Sequence, residues 1–381
     1  ETWHGSCIGI IKSNKDIENY VFSVSAPGLK PTNSASDHTS AVKDEWVRAN
    51  RAGWMQNMAQ QSIRQNGLEM KFSYQIFGEK PEGGRSMYIS MHGGGNTAHS
   101  ANDSQWENQK RLYQPEEGVY VCPRAPWDDW DMWFKAPIDS MIEELIQTMV
   151  NELDVNPNRV YLMGYSAGGD GVWRLAPRLA DHFAAAAMMA GPPGDVHLEN
   201  VRNMPFTIWV GGQDAAYNRN REVAARGLEL DSLQATDPAG YIHETHVLAD
   251  KPHWMDLEDA AAVKWMSQFE RNPYPDRIVW RQEEVTREHF YWLSVPTDEI
   301  ERGKTIIISR KGNTFYLERC DYSYFYLYYN DSMIDPSKPV KVKYKGRNLK
   351  KHIHGTIKIE DLNNRGDVNY TFDRQCKIWL Y

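Results

Sequence analysis

Arg159-Val160-Tyr161-Leu162-Met163-Gly164-Tyr165-Ser166-Ala167-Gly168-Gly169 reads as a short apolar strand that runs into a glycine-flanked serine. Val160 to Met163 has the composition of a buried strand, and Ala167 onward that of a helix start. Glycines two before and two after Ser166 permit a sharp strand-to-helix turn, which holds the serine hydroxyl above the end of a sheet. A serine so placed is a candidate nucleophile.

Upstream, His92-Gly93-Gly94-Gly95 follows the strand pattern Ser86 to Met91. A side-chain-free loop there can aim the backbone N–H groups of Gly93 and Gly94 at a carbonyl oxygen, with the N–H of Ala167 as a second donor. Downstream, the strand pattern Pro205 to Val210 leads into Gly211-Gly212-Gln213-Asp214, so a carboxylate stands at a strand's carboxyl end. Asp214 can equally cap the next helix, and Asp250 and Asp256 are alternative acids. His253 follows the strand pattern Thr245 to Leu248 and precedes a helical pattern near Leu257, which makes it the candidate base. His243 and His246 lie inside that strand pattern, and His197 comes too early in the chain.

The text around the serine, Asp154-Val155-Asn156-Pro157-Asn158-Arg159-Val160-Tyr161 before it and Gly168-Gly169-Asp170-Gly171-Val172-Trp173 after it, resembles the α/β-hydrolases. The likeness is to polyhydroxybutyrate-depolymerase-like and feruloyl-type esterases and to predicted peptidases related to prolyl oligopeptidase, over roughly residues 65 to 270. It implies nucleophile Ser166, acid Asp214 and base His253 in the family's chain order, with oxyanion donors from Ala167 and the loop after His92. Trp254 directly after the histidine and Asp170 after the elbow depart from the usual pattern. The resemblance implies a serine hydrolase of the carboxylesterase type, acting on an acyl or feruloyl ester such as one on a polysaccharide. A prolyl-oligopeptidase-like serine peptidase and a non-catalytic binding protein on the same fold are the alternatives.

The loop Pro123 to Phe134 follows another strand pattern, Gly118 to Cys122, so its Trp127, Trp130 and Trp133 are expected on the same face as Ser166 and can line a substrate pocket with Tyr165 and Trp254. Asp128, Asp129 and Asp131 lack the glycine and distant glutamate of a calcium loop and read as turn carboxylates. No phosphate loop, H-E-x-x-H or paired C-x-x-C occurs, so the expectation is no cofactor and no metal.

Tyr20 to Val24 reads as a strand, Val42 to about Gln65 as a helix, and the stretch between the glycine loop and Gly118 as a long polar loop. The helix from Ile138 to Leu153 carries Met141, Leu145, Met149 and Leu153 four residues apart, which builds one core-facing stripe. Asn272-Pro273-Tyr274-Pro275 breaks the pattern. Beyond it come only short strands: Arg277 to Trp280, Phe290 to Val295, Thr305 to Ser309, Thr314 to Leu317, Tyr324 to Tyr329, Val340 to Tyr344, Thr356 to Ile359 and Asn369 to Phe372. Strands so dense suggest a β-sandwich. The expected organisation is an N-terminal lead and helix packed on the catalytic domain (1–64), an α/β-hydrolase domain of mostly parallel sheet flanked by helices (65–272) and a C-terminal sandwich-like domain (273–381). The tyrosines from Tyr322 to Tyr329 can stack on carbohydrate, but strand alternation sends half of them to a core.

With 381 residues, 41% of them hydrophobic, the chain can build a large core. A net charge of −8 argues against a nucleic-acid or anionic-membrane binder. No apolar run approaches the roughly 20 residues of a membrane span. Cys320 and Cys376 fall in one region and can pair in an oxidising compartment or stay thiols. Glu1 in place of methionine is what removal of a leader or trimming at the start would leave. Together these favour a secreted or periplasmic location over a cytoplasmic one. Asn102, Asn330 and Asn369 fit the glycosylation pattern, which is short enough to recur by chance.

Overall fold

The computed structural model describes residues 35–335, 337–345, 347–348, 351–354, 372 and 374–380. The strand expected at Tyr20 to Val24, that at Thr356 to Ile359 and most of that at Asn369 to Phe372 lie outside them.

The first body is an eight-stranded sheet with helices on its faces. In chain order its elements are α1 (Ala35–Gln60), β1 (Ser62–Gln65), β2 (Leu68–Phe77), β3 (Arg85–Met91), α2 (His99–Leu112), β4 (Gly118–Pro123), α3 (Pro137–Glu152), β5 (Val155–Tyr165), α4 (Ala167–Arg178), β6 (Ala185–Met189), β7 (Phe206–Gly211), α5 (Arg219–Thr236), β8 (His243–Leu248) and α6 (Ala261–Met266). The spatial order is β1-β2-β4-β3-β5-β6-β7-β8, antiparallel at β1/β2 and β2/β4 and parallel from β4 onward. Parallel strands joined by crossover helices are covered on both faces. Accordingly every residue of β4, β6 and β7 is buried, whereas the edge strand β8 has none buried.

The helix expected from Val42 ends at Gln60, and its last positions become the edge strand β1, which pairs with β2. The long polar loop expected before Gly118 contains α2 instead. The buried residues of α2 are Asn102 and Gln109, so it presents no apolar stripe to find. Asn57 on α1 donates to Glu144 Oε1 (2.9 Å) and Thr148 Oγ1 (3.1 Å) of α3, docking the leading helix on α3.

After the break at Asn272 to Pro275 the described residues form two five-stranded sheets. Their strands are β9 (Arg277–Arg281), β10 (His289–Phe290), β11 (Leu293–Ser294), β12 (Thr305–Lys311), β13 (Thr314–Cys320), β14 (Tyr324–Tyr329), β15 (Lys341–Tyr344), β16 (Arg347–Asn348), β17 (Lys351–His354) and β18 (Arg374–Trp379). One sheet runs β16-β15-β13-β12-β9, the other β10-β11-β14-β18-β17. Side chains from the two meet between them: Trp280 of β9 stacks on Phe290 of β10 (centroids 5.6 Å apart, planes at 20°), and Trp292 meets Phe315 of β13 edge-on at 5.4 Å. On β14, Phe325 and Leu327 point inward while Tyr324 and Tyr326 are half-buried outside, and Tyr328 and Tyr329 are buried too. Cys320 and Cys376 sit on strands of different sheets and are not joined by a disulfide.

The two bodies are joined by a buried polar seam. Arg178, at the end of α4, donates to Asp139 of α3 (2.6 Å) and to the Phe134 carbonyl (3.0 Å). Arg287, from the second body, pairs with Glu143 of α3, which also meets His182 at 3.2 Å. Burial would raise the Glu143 carboxyl, but Arg287 and His182 hold it down at about 2. Tyr291 donates its backbone N–H to Asp181 (3.1 Å) and its hydroxyl to the Ala180 carbonyl (3.1 Å). Among the described residues no helix is long and apolar enough to cross a membrane.

Candidate active site

Ser166 occupies the turn between β5 and α4 with φ 56° and ψ −119°, a conformation rarely adopted by a residue with a side chain. Its N–H donates to the Met189 carbonyl (2.9 Å), and its own carbonyl accepts from Asp170 N–H at 3.0 Å, so the turn is held on both sides. Gly168 is required here for closeness rather than for its torsion: a Cβ would overlap the Met91 carbonyl oxygen of β3.

His253, in the loop after β8, approaches the serine with Nε2 at 3.0 Å from Oγ. Its Nδ1 lies 2.6 Å from Oδ2 of Asp214, which follows β7 and is buried. A carboxylate can only accept, so Nδ1 carries the hydrogen and Nε2 is left free to accept from the serine hydroxyl. Asp214 Oδ1 accepts from Arg219 at 2.9 Å, so both oxygens of the carboxylate are engaged.

A sheet of this strand order, with a strained serine turn after its central strand β5 and an acid and a histidine after later strands, decides the architecture. The chain has the α/β-hydrolase fold. No protein-family model and no curated protein matches the sequence. Similar solved structures include a thermostable esterase (18% identity, 55% of this chain and 62% of that one, TM-score 0.45). Others are the fluorophosphonate-binding serine hydrolase FphF of Staphylococcus aureus (14% identity, 54% of this chain and 96% of that one, TM-score 0.38) and a ferulic acid esterase (15%, 54% and 95%, TM-score 0.38). The chain thus spans less than two thirds of the thermostable esterase's length.

As the α/β-hydrolase elbow requires, the glycine loop lies against the serine. A Cβ on Gly93 would stand 3.2 Å from Ser166 Cβ, and one on Gly95 would stand 3.6 Å from Ala167 Cβ. Gly94 and Gly95 have φ of 103° and 79°, which only glycine takes without strain. Buried Asn102, on α2, accepts from Gly95 N–H (2.8 Å) and donates to Asp128 (2.9 Å). That burial removes Asn102 as a glycosylation acceptor. His92 is fully buried, with Nδ1 2.6 Å from the Gly93 carbonyl and Nε2 accepting from Ala125 N–H at 3.2 Å. Burial lowers its pKa to about 4, so the ring is neutral and acts as a fixed strut between the two loops.

The five aromatic residues expected to line a pocket separate into two groups. Trp130 (63% exposed) and Trp254 (43% exposed) offer open ring faces, and Trp127 is half-buried with the Lys135 ammonium 4.8 Å from its ring. Trp133 has no exposed surface. Its indole N–H donates to the His92 carbonyl (2.8 Å), so it supports the glycine loop from below rather than lining a pocket. Tyr165 is also buried: its hydroxyl donates to the His253 carbonyl (2.6 Å) and accepts from Met255 N–H (3.0 Å). The chain following the acid contributes one more exposed ring, Tyr217, on the left-handed pair Tyr217 and Asn218.

The rival residues are occupied elsewhere. Asp256 pairs with Lys251 (3.0 Å), His243 with Asp231 (3.1 Å) and His197 with Glu283 (3.1 Å), while His246 stacks on Trp209 at 3.7 Å. Asp129 and Asp131 both face Lys135, and Asp128 faces Arg124. Among the described residues no group of three or more His, Cys, Asp or Glu converges as a metal would need.

Sequence reasoning missed Arg219, in a polar run that reads as a solvated helix start, and the role of Asn102, in a stretch that reads as a long polar loop. Asp170, three residues into α4, is largely buried. That burial raises its carboxyl to about 7 despite the nearby Arg219 and Arg174.

Proposed function

We propose that the protein is a serine hydrolase of the carboxylesterase type that cleaves esters through Ser166, His253 and Asp214. The observation that carries the reading is the unbroken line from Asp214 Oδ2 through the imidazole to Ser166 Oγ, at 2.6 and 3.0 Å, on a strained elbow. A serine hydroxyl is a weak nucleophile until a base removes its proton. Ser166 Oγ attacks the ester carbonyl carbon as its proton passes to His253 Nε2, and the carbonyl π pair moves to oxygen. The backbone N–H of Ala167 and those of Gly93 and Gly94 stabilise that oxyanion, each such donor being worth about 3 kcal/mol. Collapse expels the alkoxide, which takes the proton from Nε2, and leaves an acyl group on Ser166. Water then repeats the sequence, its proton passing through Nε2 back to Oγ as the acid leaves. Asp214 holds the imidazole tautomer and stabilises the imidazolium.

The open faces of Trp130 and Trp254 support an aromatic acyl group, such as feruloyl, or a sugar ring as the part of the ester bound outside the reacting carbonyl. The test is hydrolysis of short p-nitrophenyl esters, a feruloyl ester and a peptide p-nitroanilide by wild type and Ser166→Ala. Ester turnover lost in the variant is the expected result. Amide turnover would make the protein a peptidase. Silence on all three, with no fluorophosphonate labelling of Ser166, would leave a binding protein.

A further inference from the structure

Arg219 stands at the first position of α5, five residues beyond Asp214, and the chain between them turns back through two successive left-handed residues, Tyr217 (φ 55°) and Asn218 (φ 56°). Neither is glycine, so the turn is strained. It is fastened by Asn218 N–H to the Ala215 carbonyl (3.0 Å), Asn220 N–H to the Asp214 carbonyl (3.1 Å) and the Asn220 amide to the Gly212 carbonyl (2.7 Å). The result is that the Arg219 side chain, 11% exposed, reaches back to the acid that precedes it.

Asp214 is the one side chain that Arg219 hydrogen-bonds among the described residues, and its buried Nε has no partner. Arg124, by contrast, is spread over Asp103, Asp128 and two carbonyls. In Arg219 one nitrogen is committed to Oδ1, the oxygen that His253 does not use. The Tyr217 ring lies over the guanidinium, its centroid 4.9 Å away.

We infer that Arg219 is a positioning residue for the proposed hydrolysis. It locks the Asp214 carboxylate against rotation and, by sharing that charge, sets how strongly Asp214 favours a protonated His253. The inference rests on the reading of Ser166, His253 and Asp214 as the reacting line. A cation on Oδ1 offsets part of the negative charge that Asp214 presents to the imidazole. Other ionisable groups face this cluster. From α4 come Asp170, with Arg174 behind it, and from the elbow Tyr165 and Ser166. From the segment after β8 come His253 itself, Asp256 and Asp259, while Tyr217 lies on the same turn as Arg219. Of the arginines near this cluster, Arg219 is the one hydrogen-bonded to the carboxylate among the described residues.

The experiment compares full-length wild type, Arg219→Gln and Arg219→Lys. Its readouts are the pH profile of kcat/KM on a p-nitrophenyl ester, the rate of fluorophosphonate labelling and the NMR titration of the His253 ring. For Arg219→Gln the acidic limb and the ring titration should both move up by about half to one pH unit, since one unpaired charge on a half-exposed ring is partly screened. Activity on the acidic limb then falls by about three- to tenfold, with little change in KM and a smaller loss on the alkaline side. Arg219→Lys keeps the charge but not the planar guanidinium that reaches back to Oδ1, so its limb should stay with wild type while kcat falls. Profiles of Arg219→Gln that superimpose on wild type overturn the inference. Should Arg219→Gln not fold, a wild-type kcat in Arg219→Lys overturns it as well. A wild type that neither turns over ester nor takes the label would instead overturn the catalytic reading, and the ring titration would still report on Arg219.

Discussion

The hydroxyl of Tyr165, the residue just before the nucleophile, donates to the backbone carbonyl of His253 at 2.6 Å and accepts from the N–H of Met255 at 3.0 Å. The two sides of the reacting pair are therefore fastened to each other through the body of the protein. Tyr165→Phe keeps the ring and removes both bonds. It should lower kcat by about tenfold or more with KM for a small ester little changed, and destabilise the fold by about 1 to 3 kcal/mol. Steady-state kinetics beside a denaturant titration would check it, and an unchanged kcat would show that the histidine loop holds itself.

Asp170 gives a pH signature of its own. Its ordinary value is 3.8 and the folded value is about 7, so across that window the unfolded chain has released a proton that the folded chain keeps. Stability must then fall as pH rises through the window. Asp170→Asn should be more stable than wild type at about pH 8, by on the order of 2 to 4 kcal/mol, with the gap closing towards pH 4. Thermal unfolding of the two at both pH values decides it; an equal gap at both would mean the carboxyl does not titrate there.

Gly168→Ala tests the elbow. Its Cβ would collide with the Met91 carbonyl, a backbone atom of the central sheet that cannot swing away. The variant should lose about 3 kcal/mol or more of stability, or fold with the serine displaced. Fluorophosphonate labelling per folded molecule separates the two outcomes, and wild-type behaviour in both would contradict the packing.

Asn102→Ala leaves the Gly95 N–H, in a part-buried loop, without its acceptor. The expected cost is about 1 to 3 kcal/mol, with kcat lowered more than the fold is weakened, because the glycine loop loses its anchor beside Ser166. A stability loss with full kcat would place Asn102 in support of the fold alone.

Much of this arrangement is legible in the residues. Gly164, Ser166 and Gly168 announce a turn because few other sequences can make it, and Asp214 and His253 each follow a strand pattern at its carboxyl end. The parts that stay hidden share a cause: tertiary surroundings override local preference. Strand β6 is built from Ala185, Ala186 and Ala187, good helix formers. They fit a central strand because α4 packs so closely that Gly169 approaches the Met189 carbonyl. Helix α2 buries Asn102 and Gln109 against hydrogen-bond partners, so the apolar period that marks a helix is missing. Arg219 lies in Asn218-Arg219-Asn220-Arg221, a run indistinguishable from a solvated helix start. Trp133 and Tyr165 read as pocket aromatics, yet their polar tips are spent on backbone carbonyls beneath the surface.

The seam of Asp139, Glu143, Arg178, Asp181, His182 and Arg287 bears on how such a chain can be recombined. Cutting at residue 272 would take away Arg287, leaving Asp139 with Arg178 and Glu143 with His182 and opening both carboxylates further to solvent. A graft of another sandwich would have to bring a cation to the same spot. Two bodies that look exchangeable as architecture are thus wedded by charge, and an insertion, swap or deletion is tolerated only if it inherits both halves of that match.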